Sequence, residues 1–146
     1  MKKIFAVLAV FTAILLSLVV FPVTAHEPRT VGDYDVEFGW HQEPVYTTLL
    51  NAGELFVHNH DGGDGVNGLE DTLQIEVDYG GKIKMLRFYD VEGEDGHYMA
   101  DIIPTQPGDY SFHITGKIGD ADFDQTFTSA DGKFDSVNPV SDIQFP

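Results

Sequence analysis

From Tyr34 the chain alternates: Tyr34, Val36, Phe38 and Trp40 are large and apolar, with Asp35, Glu37 and Gly39 between them. A period of two is the mark of a strand with one buried face. The same alternation returns at Leu73, Ile75, Val77 and Tyr79, at Tyr98, Ala100 and Ile102, at Tyr110, Phe112 and Ile114, and at Ala121, Phe123, Gln125 and Phe127. Glu54 to His60 reads as a further strand with Leu55 and Val57 inward, which leaves Phe56, His58 and His60 together on the other face. The glycine pair Gly80-Gly81 predicts a tight hairpin into a return strand from Lys82 to about Tyr89. Along that return strand the apolar phase slips from Ile83 and Met85 to Leu86 and Phe88, so it bulges or changes sheets.

Pro104, Pro107 and Gly108 interrupt the chain between two of these strands and predict a corner, with the flanking strands read as a hairpin. The spacing therefore predicts about seven short strands, and no segment holds a helical period over about ten residues. Two packed antiparallel sheets follow. His26 to Arg29 reads as a short polar arm, Pro44 to Gly53 as a loop, and Ser129 to Pro146 as an irregular tail lying against the domain. The glycine-rich stretch Asp61 to Gly68 is a surface loop whose carboxylates lack the ligand spacing of a calcium-binding EF-hand.

The first residues change the setting of this domain. Lys2 and Lys3 precede an uncharged apolar run from Ile4 to Phe21, and Val23-Thr24-Ala25 offers small residues for cleavage. Residues 1–25 are therefore expected to be a secretory signal, or an uncleaved anchor, with the sandwich over 26–128 and the tail over 129–146. The location implied is extracytoplasmic, with membrane contact only through an anchor. After the signal there are 24 acidic and six basic side chains and no cysteine, so neither disulfides nor thiolate chemistry is available. So acidic a surface repels nucleic acid and suits cations or a basic envelope protein.

Tyr110 follows Gly108-Asp109 at the start of a late strand, where immunoglobulin-like sandwiches place a tyrosine whose hydroxyl bonds to nearby backbone. The alternative is an ordinary half-buried strand aromatic. With His97-Tyr98-x-Ala100 and Pro107-Gly108-Asp109-Tyr110-x-Phe112, the last third of the chain resembles the exported immunoglobulin-like domains grouped as YtkA-like and FixH-like proteins. The resemblance implies an exported, non-enzymatic immunoglobulin-like sandwich. A second resemblance is to copper-resistance carriers of the CopC type, whose mature chain begins with histidine, as this one would at His26. Asp95-Gly96-His97 is similar to an Asp-Gly-His of those carriers, although there it follows a tyrosine-containing strand and here it precedes one.

Six histidines are the best chemical lead. An N-terminal histidine offers an amine and an imidazole that chelate Cu(II) together, and a further imidazole and a carboxylate complete a tetragonal set. The metal candidates are His26, His58, His60 and His97, with copper as the cofactor to test. His58 and His60 stand two apart on one strand face, about 7 Å between neighbouring side chains, within reach of one ion. Met99 and His113 also point away from the expected core, and His41 should point outward. No nucleophile elbow, zinc-protease helix, phosphate loop or dinucleotide fingerprint occurs, so the chain reads as a non-enzymatic binding module. The alternatives are an envelope interaction or structural domain without metal and, less favoured, a histidine-brace copper oxidase.

Overall fold

The computed structural model describes residues 25–146, so all of the expected signal segment except Ala25 lies outside the described residues. Nine strands follow in order: β1 His26–Val31, β2 Tyr34–Trp40, β3 Asn51–Asn59, β4 Leu73–Tyr79, β5 Lys82–Leu86, β6 Tyr89–Asp90, β7 His97–Ile102, β8 Ser111–Ile118 and β9 Ala121–Thr128. Three short 3-10 turns complete the regular structure, and no α-helix occurs among the described residues. A five-stranded sheet ordered β1-β2-β3-β7-β6 packs on a four-stranded sheet ordered β5-β4-β8-β9. All strand pairings are antiparallel. In immunoglobulin terms β2, β3, β7 and β6 take the places of strands A, B, E and D, while β4, β8 and β9 take those of C, F and G.

The alternating positions meet between the sheets. Val36, Phe38, Leu55, Val57, Tyr98 and Ala100 come from one layer, and Ile75, Phe112, Ile114 and Phe127 from the other, all essentially sealed from solvent. Phe38 sits 5.0 Å from both Phe112 and Phe127, which ties the layers through aromatic edges and faces. Trp40 fills core as expected, and its buried indole N–H donates to the Asp135 carbonyl at 2.9 Å. The Ser129–Pro146 segment supplies Phe134 and Val137 to this core, and Val137 exchanges two backbone hydrogen bonds with Gly108.

Three expectations change. The strands on either side of Pro104 and Gly108 do not pair as a hairpin: β7 belongs to the five-stranded sheet and β8 to the four-stranded one, so the proline turn arches between layers. Residues 26–31 form a strand rather than a polar arm, because β2 offers its backbone edge from Tyr34 to Gly39. A strand held at a sheet edge by main-chain bonds needs no apolar alternation, so side-chain periodicity is silent there. The count rises to nine for that reason, and because the Lys82 to Tyr89 segment divides. Ile83 and Met85 on β5 stay exposed, Phe88 is buried, and β6 pairs with β7 in the opposite sheet. The phase slip marks that change of sheet.

Tyr110 is the corner. Its hydroxyl donates to the Gln106 carbonyl at 2.9 Å and accepts the Gln106 N–H at 3.3 Å, while the ring lies buried against Trp40 and Tyr79. Tyr110→Phe should cost about 1–2 kcal/mol, since it leaves a carbonyl and an amide of the turn without their partner. Urea denaturation would show this as a lower midpoint at unchanged slope, and an unchanged midpoint would reduce Tyr110 to a packing residue.

Candidate functional site

The outer face of the five-stranded sheet carries the chemistry. In register across its five strands lie His26 on β1, Gly39 on β2, Glu54 on β3, Met99 on β7 and Tyr89 on β6. The neighbouring row holds Pro28, Glu37, Phe56 and His97. Gly39 makes the first row possible. A Cβ there would stand 2.9 Å from His26 Cδ2 and would also strike the Ala25 carbonyl, so only glycine lets the His26 ring lie across β2.

Having crossed, His26 Nε2 meets Glu54 Oε2 at 2.9 Å. His97 reaches the same carboxylate from the other side, Nε2 to Oε1 at 2.7 Å. His41, the first residue beyond β2, brings Nδ1 to Oε1 at 3.0 Å. Three imidazoles from three separate stretches thus converge on one carboxylate, itself only 6% exposed although it projects from the outer face. Phe56 orients two of them: it stacks on His97 at 4.3 Å and takes His26 edge-on at 5.7 Å. The second ring nitrogen of His97 bonds Glu94 at 2.8 Å. Burial alone would raise the Glu54 pKa, but the hydrogen bonds to His41, His26 and His97 outweigh it and hold the carboxyl below its ordinary value.

Chemically this is a set of three imidazole nitrogens and one carboxylate oxygen, the donor types that transition ions such as Cu(II) and Zn(II) accept. The side chains bond to one another, and among the described residues no group of three or more His, Asp or Glu side chains is placed so as to hold a metal ion as it stands. A metal would replace the imidazole-to-carboxylate hydrogen bonds, which needs rotation of rings already gathered at one place. The three rings differ in access: the His97 side chain is 7% exposed, His26 21% and His41 42%.

Of the candidates read from sequence, His26 and His97 therefore come together, and His58 and His60 do not join them. His60 Nδ1 lies 2.9 Å from both oxygens of Asp35, and His58 is the register partner of that same aspartate. This second group faces solvent. The hydrogen bond that His60 donates to Asp35, with the charge of that carboxylate, raises the His60 pKa, while bonds from Thr30 and His60 lower that of Asp35. His113 projects from the opposite sheet and pairs with Asp124 at 2.8 Å, so the changed β7 to β8 connection removes it from the His97 face. Within Asp95-Gly96-His97 only the histidine reaches the cluster, because the Asp95 carboxylate accepts from Asn67 instead.

His41 and Glu54 carried a signal that sequence reasoning passed over. Glu54 has the outward phase of Phe56 and His58, and His41 lies two residues beyond the outward Gly39. Their meeting depends on β2 and β3 being neighbours, which alternation does not encode.

Among solved structures the chain is similar to a DUF4426 family protein from Pseudomonas aeruginosa PAO1, with 17% identity and a TM-score of 0.54. The match covers 71% of this chain and 92% of that one, and at this identity it concerns the fold alone. No family model and no curated protein matches the chain.

Proposed function

We propose that this chain is an exported, non-catalytic immunoglobulin-like module that binds Cu(II) on the outer face of its five-stranded sheet. The observation that carries the reading is the convergence of His26, His41 and His97 on buried Glu54. If export ends with cleavage after Ala25, His26 adds a free amine, and with its ring turned so that Nδ1 rather than Nε2 faces the cluster the two form a bidentate chelate suited to Cu(II). His97 and His41 then supply further nitrogens, and Glu54 a compensating charge. The likeness to CopC-type carriers at His26 and His97 points the same way, and the YtkA-like and FixH-like motifs agree with an exported sandwich.

Bound copper would supply a tightly held divalent charge at the sheet surface; the chain's own residues hold and orient it. Phe56 fixes the His97 and His26 rings, and Glu94 fixes the far nitrogen of His97, an outer contact that sets the ring direction. Cu(II) titration against a competing chelator tests the reading. One equivalent should bind to residues 26–146, and His97→Ala should weaken it about a hundredfold, equivalent to ~2.7 kcal/mol. The double variant His58→Ala, His60→Ala should stay within about twofold of the parent, a difference under ~0.5 kcal/mol. Binding lost in that double variant and retained in His97→Ala would move the site to the Asp35 group.

A further inference from the structure

We propose that Met99 is a soft donor at this cluster, so that the same place holds Cu(I) as well as Cu(II). The inference rests on the copper reading above and adds the second oxidation state. Met99 is the register partner of Glu54 on the neighbouring strand β7. Directly opposed residues of an antiparallel pair share a face, with Cβ atoms about 4.5–5.5 Å apart. The thioether therefore projects beside the carboxylate on which His26, His41 and His97 converge, and Met99 is half-buried there.

Three features single it out. The chain has no cysteine, and the other methionine among the described residues, Met85, stands exposed on β5 in the opposite sheet, so Met99 is the one sulfur described on this face. Its other neighbour in the row, Tyr89, is already engaged elsewhere: its hydroxyl donates to Asp101 at 2.8 Å. Finally, a methionine on an outward face contributes nothing to the core between the sheets, whereas thioether sulfur and imidazole together suit Cu(I), which favours soft ligands and low coordination number. Cu(II) would draw on nitrogen and carboxylate oxygen, Cu(I) on imidazole and Met99.

Met99→Leu is the test, because it keeps the side-chain volume and removes only the sulfur. Under anaerobic conditions, competition with bicinchoninate should show Cu(I) affinity falling about tenfold or more, while Cu(II) affinity stays within about twofold. X-ray absorption of the Cu(I) form should show a copper–sulfur shell that the variant lacks. Equal Cu(I) affinity in parent and variant, or no sulfur shell in the parent, overturns the role of Met99 and leaves the Cu(II) site standing. A parent chain that takes up no Cu(II) overturns the copper reading and this inference with it.

Discussion

Glu54→Ala is expected to cost about 2–4 kcal/mol of folding stability at neutral pH and to abolish tight copper binding. The argument is one of stranded partners. Glu54 accepts from three imidazoles, and His97 is nearly sealed beneath Phe56, so its ring nitrogen could not turn to water in exchange. The rings would also lose the point on which they converge, since they arrive from β1, from the end of β2 and from β7. A pH signature separates this charge from simple packing. The Glu54 carboxyl is held below its ordinary value, so its ionised form is favoured by folding. That contribution is complete above the unfolded carboxyl pKa of about 4.3 and is lost as the pH falls through the lower folded value. The stability gap between the parent and Glu54→Gln should therefore narrow below about pH 4. Denaturation curves that stay equally far apart from pH 7 to pH 3 would contradict an ionised hub.

Gly39→Ala should damage the fold and the candidate site together. In a chain that begins at His26 the added Cβ would still stand 2.9 Å from His26 Cδ2 and 3.1 Å from its Cα. The ring is free to swing aside, but the Cα belongs to a backbone paired with β2 along six residues, so β1 itself must shift. We expect about 1–3 kcal/mol of lost stability, in the range for overpacking a close-packed site. Cu(II) affinity should fall about a hundredfold as His26 leaves Glu54, equivalent to ~2.7 kcal/mol. Parent-like affinity in Gly39→Ala would show that His26 does not need to cross β2.

The layers of this fold were legible because nearly every core strand states its buried face. Val36, Phe38 and Trp40 keep a strict period of two, as do Leu73, Ile75 and Val77, and all six are buried. The slip between Met85 and Leu86 was legible for the same reason, since a change of buried face along one run requires the chain to change layers. Strand β1 escaped because a half-exposed edge is held by main-chain bonds that any sequence can make. The arch from β7 to β8 escaped because a proline turn reads alike whether it reverses a hairpin or carries the chain between sheets. The site was half legible. His26 and His97 were named from their own chemistry, but Glu54 and His41 acquire theirs only from the order β1-β2-β3-β7. A lone acidic residue in outward phase looks like solubility until three histidines are brought to it.

Cu(II) affinity of two chains differing at one end tests the central claim most directly: residues 26–146, and the same chain carrying one extra residue before His26. Only the first offers a primary amine beside the His26 imidazole; the second has an amide there, while Glu54, His41 and His97 are unchanged. The account predicts one equivalent of Cu(II) in the first chain, held about a hundredfold more tightly than in the second, or ~2.7 kcal/mol. Affinity should fall on acidification as the amine and imidazoles take up protons. Equal affinity for the two chains would contradict an N-terminal chelate at His26, and no binding by either would contradict the metal site as a whole.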